Sequence, residues 1–569
     1  LVFFAALAAD YDGTLAHDGI VDGAIVEALE QFKATGRRLI LVTGRELAHL
    51  REVFPEFRLF DRIVAENGAV IYDPAADRER AIAPAPPEAF VAALRARKIT
   101  PLSVGRSIVA TWEPHEKAVL ETIQQLGLEL QIIFNKGAVM VLPAGINKAA
   151  GLAGALDDLQ LSRHNVAGIG DAENDHAFLA ACGCAVAVAN ALPMIKEKAD
   201  AVTKEARGLG VIEAMERLVK EDTAMLEPGR HGILIGRAGA EDIVIEPYRG
   251  DVLIAGSSGG GKSTVAVALS ERMAERGYQF CVLDPEGDYR ELENAVSVGD
   301  VKAAPRLDEI TDLVQRHVAN AVINILAIPT GERPAFLTKL LPDLAETSAR
   351  YCRPHWLIID EAHHLLPAEN HDAPALPTGE RPAVIMITVH PEAIARQALH
   401  GVKTVIALGP DAMDTVASFC AAAQLPAPAA VAAPGDGEVL LWRAEWPQPR
   451  VITLQGPKQV HQRHTRKYAE GELGEDRSFY FRGPNGSLNL RAQNLSIFLQ
   501  MADGVDEGTW QFHRRQGDYS RWVRDAIKDE DLARQLSSIE SDRSLDARES
   551  RKQVTEAINA RYTTPARAE

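Results

Sequence analysis

Short apolar runs recur along the chain, most of them followed by a stretch with helical spacing. In the first part they are "FFAALAA", "RLILVTG", "RIVAENGAVIY", "VAGIGD" and "CAVAVAN". Such runs, alternating with helices, predict a parallel sheet covered on both faces. Between 84 and 146 the pattern changes: "PEAFVAALRARK" and "EKAVLETIQQLG" have helical period, while "SIVATW", "LQIIF" and "AVMVLP" read as strands. This predicts an α+β insert with its own small sheet, dividing a core of residues 1–83 and 147–221. A second β-α-β region, 222–455, carries "DVLIAG", "QFCVLD", "HWLIID", "AVIMITV" and "KTVIALG". The Ala/Pro-rich stretch 422–438 reads as a surface loop. Residues 456–569 read as a small, mainly helical module, with "NLRAQNLSIFLQMADG" and "GDYSRWVRDAIKDEDLARQL" as helices and Asp518 or Ser520 as an N-cap.

Composition narrows the class. At 569 residues the chain needs several cores, and 46 % hydrophobic with 25 % charged residues is ordinary for a globular protein. No apolar run approaches the ~20 residues of a membrane span, so no membrane partner is expected. The opening "LVFFAALAA" reads as a buried first strand, not a signal peptide. Five cysteines argue against a disulfide framework, and Cys182 and Cys184 read as core packing. A cytoplasmic compartment is expected. The net charge of −18 disfavours a general nucleic-acid coat.

The first run ends in "ADYDGTLA", placing Asp10 and Asp12 where parallel sheets bind ligands, beyond the carboxyl ends of the strands. Thr43 ends a second strand, Lys148 opens a helix after the insert, and "GDAEND" (170–175) follows a third apolar run. One carboxylate could attack phosphorus, another shuttle a proton, and a third help hold Mg²⁺. A hydroxyl and an ammonium would neutralise phosphoryl oxygens. These four motifs resemble the haloacid dehalogenase superfamily of phosphatases, and "AENGA" (65–69) with the insert resembles its Cof-type subgroup with an α/β cap. The resemblance implies a Rossmann-like core with Asp10 as nucleophile and Asp12 as general acid/base. Thr43 and Lys148 would bind the phosphoryl group. Asp171, with Asp10 and the Asp12 carbonyl, would hold Mg²⁺, and Asp175 would support the site. It also implies a small phosphorylated substrate, a sugar phosphate or similar. Arg45 could contact substrate or be a plain surface arginine.

The second region carries "GSSGGGKST" between an apolar strand and a helix, the context of a phosphate-cradling P-loop. Its backbone would wrap ATP phosphates at Gly256, Gly259, Gly260 and Gly261, with Lys262 on the β/γ-phosphates, Ser263 on Mg²⁺ and Thr264 beside it. "HWLIIDEAHH" supplies Asp360 to assist the metal and Glu361 to polarise the attacking water. With "LDPEGDY" and "ITVHP", these segments resemble the HerA–FtsK class of hexameric motors, closest to HerA. The resemblance implies a RecA-like ATPase domain and a homo-hexamer. Thr388 or His390 stands at the γ-phosphate sensor position, where Gln or Asn is usual; Arg381 and Arg396 are candidates for an arginine supplied to a neighbour. In the last region "HQRHTRKY" (461–468) and "RSFYFRGPNG" (477–486) mix basic and aromatic residues, as a nucleic-acid contact or a packing surface would. The expected protein is thus a bifunctional Mg²⁺-dependent phosphomonoesterase joined to a ring-forming ATPase. The alternative is a nucleic-acid translocase or defence-type assembly whose phosphatase acts on nucleotides or nucleic-acid ends. A third reading keeps the P-loop as a nucleotide-gated switch; Glu361 argues against it.

Overall fold

The structure is a computed structural model. It describes residues 2–226, 229–257, 260–289, 292–316, 319–369, 376, 381–458, 478–484, 486, 488–527 and 529–562. Leu1–Pro457 form one compact unit and Lys458–Glu569 a second.

The first unit holds three sheets. The N-terminal sheet runs Ala201–Val202, Cys184–Ala187, Val166–Gly170, Ala6–Asp10, Arg38–Val42, Arg62–Ala65, Val70–Asp73 and Arg78–Ala81. The first six strands are parallel and the last two turn back antiparallel. The strand Ala6–Asp10 is buried along its whole length because helices cover both faces, and this is why it reads as an unbroken apolar run. "RIVAENGAVIY" is not one strand. Glu66, Asn67 and Gly68 all take positive φ and fold it into a hairpin. Gly68 lies against the Asn147 carbonyl, where any side chain would collide.

The cap is a four-stranded antiparallel sheet, ordered Ser103–Val104, Val109–Trp112, Ala138–Pro143 and Leu130–Asn135, with helices Glu88–Ala96 and Glu116–Leu126. Phe90, Leu94, Val119 and Val139 build its separate core.

The third sheet has eleven strands. Seven are parallel: Val402–Leu408, Asp251–Gly256, Ala383–Thr388, Trp356–Ile359, Phe280–Asp284, Asn320–Asn324 and Ala295–Val298. Antiparallel strands Glu438–Arg443, Arg450–Leu454, Ile233–Ala238 and Glu241–Ile245 extend one edge. Its two faces carry separate apolar clusters, one around Leu337, Leu357 and Phe419, the other around Leu269, Trp356 and Ile385. The Ala/Pro-rich stretch joins helix Ala412–Ala423 to strand Glu438–Arg443 without regular structure.

The two α/β cores meet at the starts of their strands. Asn165, just before Val166–Gly170, accepts from His355 Nε2 at 3.1 Å, and His355 stands just before Trp356–Ile359. His355 Nδ1 accepts the Gln279 N–H at 2.9 Å, so its proton lies on Nε2. The His164 ring stacks on Tyr278 at 3.7 Å and its Nε2 donates to the Arg276 carbonyl at 2.7 Å. The fully buried Arg353 donates to the Gln160 carbonyl at 2.8 Å. Burial holds both imidazoles neutral, with His164 lowered to about 3 and His355 well below its ordinary range.

The second unit packs helices Leu495–Gly504, Glu507–Gln516, Glu530–Ser541 and Ala547–Tyr562 around Phe481, Phe498, Trp510, Tyr519 and Val523. Two expectations are corrected here. Leu490–Ala492 is a strand paired with Phe479–Phe481, so the helix begins only after Asn494, whose side chain caps it. The stretch from Asp518 is broken by a π-turn, Val523–Ile527, and neither Asp518 nor Ser520 is an N-cap. The Asp518 carboxylate instead accepts from His513 at 2.7 Å, and Glu540 takes the N–H groups of Tyr519 and Ser520. Phe479 and Phe481 are buried core residues, which removes them as base-stacking platforms. Residues 461–468 lie outside the described residues. Among the described residues no helix is long and apolar enough to cross a membrane.

Candidate functional site

Two sites form, each at the carboxyl ends of a parallel sheet. In the N-terminal sheet, Asp10 ends the first strand, Thr43 follows the second, Asp171 follows Val166–Gly170, and Lys148 opens the helix Lys148–Leu159. Asn147 caps that helix by accepting the Ala150 N–H, which fixes where Lys148 starts. All four side chains are buried. The Lys148 ammonium lies 2.5 Å from both Asp10 Oδ1 and Asp175 Oδ1. Asp175 Oδ2 in turn accepts the Asp171 and Ala172 N–H groups at 2.8 and 2.9 Å, which ties the third motif to the fourth.

Charge in this site is unbalanced. Asp10, Asp171 and Asp175 have ligand oxygens within 4.8 Å of one another. Burial, then Asp175, pushes the Asp10 carboxyl up to about 8 against the pull of Lys148. Burial works to lower Lys148, but the Asp10 and Asp175 carboxylates outweigh it and hold the ammonium above its ordinary range. Asp171 is raised by burial, against Lys136. A further cation already sits at this cluster. Lys136 Nζ lies 3.0 Å from the Asp12 carbonyl oxygen and 2.8 Å from Asp171 Oδ2. An oxygen set of buried carboxylates and a carbonyl that draws in an ammonium fits a hard divalent cation held by Asp10, Asp171 and the Asp12 carbonyl.

Asp12 turns its carboxylate away from these oxygens. Arg45 clamps it through Nε at 2.7 Å and a terminal nitrogen at 2.6 Å, and lies over the Tyr11 ring. Arg45 is therefore a partner of Asp12, not a free surface residue. The Thr43 hydroxyl accepts the Arg45 N–H at 3.1 Å. Sequence reading missed three contributors: Lys136, Asn190, which donates to the Gly13 carbonyl at 2.8 Å, and Glu66, whose carboxylate accepts the N–H groups of Arg106, Ser107 and Ile108 from the cap. Only the "AENGA" segment carried a signal for any of them.

In the second site, Gly256 ends the central strand and Gly261, at φ +88°, precedes the helix Lys262–Arg276. That left-handed conformation is easy only for glycine and turns the chain into the helix. Ser263 and Thr264 lie in the helix's first turn. Gly260 is described; Gly259 lies outside the described residues. Lys262 is buried, and its ammonium donates to the carbonyls of Gly256 and Ser257 at 3.0 and 2.9 Å. Burial lowers it, while Glu361, Asp360 and Glu286 pull the other way.

Asp360 is buried and held well above the usual carboxylate range, first by burial and then by Glu361, Asp284 and Asp288. Glu361 follows in the left-handed region, φ 43° and ψ 51°, a conformation costing about 1–2 kcal/mol that something else must hold. Its carboxylate is 3.4 Å from His363 Nδ1, which is 3.1 Å from the Thr388 hydroxyl. Thr388 is buried and its hydroxyl also accepts the His390 N–H. Arg381 does not reach this end of the sheet. It pairs with Asp251, the first residue of the central strand, at 2.6 Å. Arg396 opens a short helix, Arg396–Leu399.

Comparison with known proteins finds a family model for each of these two regions. Residues 7–104 and 109–215 match the family model of haloacid dehalogenase-like hydrolases, and 250–339 match that of the helicase HerA central domain. The chain is 28 % identical over 224 residues to phosphoglycolate phosphatase 2 of Saccharolobus solfataricus, covering 37 % of this chain and 91 % of that protein. It is 30 % identical over 223 residues to phosphoglycolate phosphatase of Methanothermobacter thermautotrophicus, covering 38 % and 98 %. A haloacid dehalogenase-like hydrolase from Bacteroides thetaiotaomicron is a structural neighbour at 21 % identity and TM-score 0.34, covering 38 % of this chain and 99 % of that one.

Proposed function

Since the chain belongs to the haloacid dehalogenase-like hydrolases through its N-terminal part and carries a HerA central domain behind it, we propose that it is a Mg²⁺-dependent phosphomonoesterase joined to a ring-forming ATPase. The observation that carries the phosphatase reading is the buried Lys148 ammonium between Asp10 and Asp175, at the carboxyl ends of the strands.

In this reading an Asp10 oxygen attacks phosphorus and the bond to the leaving oxygen breaks, that oxygen taking a proton from Asp12. Water then attacks the aspartyl-phosphate, Asp12 takes its proton, and phosphate leaves with Asp10 restored. Thr43 and Lys148 hold the phosphoryl oxygens, and Arg45 orients Asp12 between transfers. Mg²⁺ held by Asp10, Asp171 and the Asp12 carbonyl would supply further charge neutralisation to those oxygens. The relatives named above make phosphoglycolate the first substrate to test, with sugar phosphates next. In the second site Lys262 and the loop N–H groups would hold ATP phosphates. Ser263 and Asp360 would serve its Mg²⁺, and Glu361 would polarise water. A homo-hexamer lets each subunit complete its neighbour's site.

The test is phosphate release from phosphoglycolate, sugar phosphates, nucleotides and phosphorylated DNA ends, with and without ATP and Mg²⁺. Turnover of small phosphomonoesters that needs Mg²⁺ is expected. Selective release from nucleotides or DNA ends would favour the translocase reading, and no release from any of them would defeat the phosphatase reading. Light scattering of Glu361→Gln with ATP should show a ring. A monomer at every concentration that still hydrolyses ATP in the wild-type chain would defeat the ring.

A further inference from the structure

Lys136 sits at the tip of the cap hairpin, between strands Leu130–Asn135 and Ala138–Pro143. Lys136 and Gly137 both take positive φ, 48° and 88°. Two left-handed residues in succession make a tight, rigid turn whose twist suits the flanking strands. From this tip the lysine crosses to the core and bonds the Asp12 carbonyl and Asp171 Oδ2, both of them oxygens assigned above to the divalent metal. Its side chain is half-exposed while that of Asp171 is almost fully buried. A half-exposed lysine has therefore been brought to a buried carboxylate.

The cap has a second tether of a different kind. The Glu66 carboxylate gathers the backbone N–H groups of Arg106, Ser107 and Ile108 at 2.8–3.1 Å, and none of these atoms belongs to the catalytic cluster. Glu66 can hold the cap whatever the metal does. Lys136 cannot. Mg²⁺ bonds its oxygens at about 2.0–2.1 Å, so an ion held by both oxygens would take the place the ammonium now bridges.

We propose that Lys136 is a latch that competes with the divalent metal for one seat, so that metal entry frees the cap hairpin while Glu66 keeps the cap attached. This rests on the reading of Asp10, Asp171 and the Asp12 carbonyl as metal donors. In the metal-free protein the latch closes the cleft and prevents the carboxylates from standing bare; in the loaded protein the cap is free to admit substrate.

Mn²⁺ is the probe, its binding to the full chain followed by the loss of the free-ion electron paramagnetic resonance signal without nucleotide. Lys136→Met keeps the stem and removes the charge, and it should bind Mn²⁺ about tenfold more tightly than wild type. Amide exchange in residues 130–143 should be slow in metal-free wild type, faster on adding Mn²⁺, and already fast in Lys136→Met. Equal Mn²⁺ affinity in the two proteins, or hairpin exchange that ignores the metal, would overturn the latch. Asp171→Ala separates the failures. If it abolishes tight Mn²⁺ binding while Lys136→Met changes nothing, the latch alone is wrong; if it leaves tight binding intact, the metal seat is wrong and the latch falls with it.

Discussion

Lys148 and Lys262 are both buried lysines at the carboxyl ends of parallel strands, yet their surroundings are opposite. Lys148 is held by two carboxylates at 2.5 Å and raised above its ordinary range. Lys262 is held by two carbonyls of its own loop and lowered by burial. The first lysine belongs to a charge network that exists before any ligand arrives. The second lies folded onto its loop, and full pairing of its charge waits for the anion it would bind. A phosphatase that forms a covalent intermediate needs its nucleophile oriented in advance, whereas a nucleotide-driven ring gains if charge pairing comes with the nucleotide. Binding that completes a site only in the assembled state shifts the assembly equilibrium.

The largest expected effect would separate the two sites outright. Asp10→Asn should lower phosphatase kcat by about 10⁴-fold or more, since the attacking oxygen is lost, and leave ATP turnover within about twofold. Lys262→Ala should do the reverse. Assaying both activities on both variants decides it, and parallel losses in folded protein would break the comparison. The next effect tests the lysines themselves. Lys148→Ala strands Asp10 and Asp175 as buried, uncompensated carboxylates and should destabilise the phosphatase core by about 3–5 kcal/mol. Lys262→Ala in nucleotide-free protein removes an ammonium that burial already disfavours and should change stability by less than about 1 kcal/mol. Calorimetric melting of the two variants against wild type measures the contrast, and equal losses would erase it.

These contrasts mark what the sequence could carry. Asp10, Thr43, Asp171 and Asp360 were legible because a strand buried on both faces reads as a continuous apolar run, and the residue that ends it stands at the ligand edge. Lys136 was not, because its contact with the Asp12 carbonyl spans 124 residues and depends on how the cap docks. A lysine in a turn carries no local sign of such a partner. Arg381 looked available for a neighbour's site only because sequence does not show that its strand-start position faces Asp251. The strand Leu490–Ala492 was lost inside a helical period, since three residues are too few to establish alternation. Glu361 follows Asp360 by sequence alone, but its left-handed backbone and its His363 contact were invisible there.

The smallest expected effect concerns the join between the two cores. His164 is lowered to about 3 from an ordinary value of 6.5. The folded state refuses a proton that the unfolded chain takes up below about pH 6.5, so the stabilisation is complete above that value and shrinks as pH falls toward 3. By pH 5 the loss should be about 2 kcal/mol. Urea midpoints at pH 7.5 and 5.0 should differ more in wild type than in His164→Gln. An identical pH dependence in the two would place the acid sensitivity elsewhere.

That join is made from strand starts, the ends opposite Asp171 and Asp360. Asn165, His164, His355 and Arg353 bind the cores to each other, and Asp171 and Asp360 stand at the far ends of the strands that follow Asn165 and His355. The cap hangs beyond them, and none of these contacts at the join involves residues 84–146. A change in the cap, or in the cleft beneath it, therefore leaves these contacts of the join untouched.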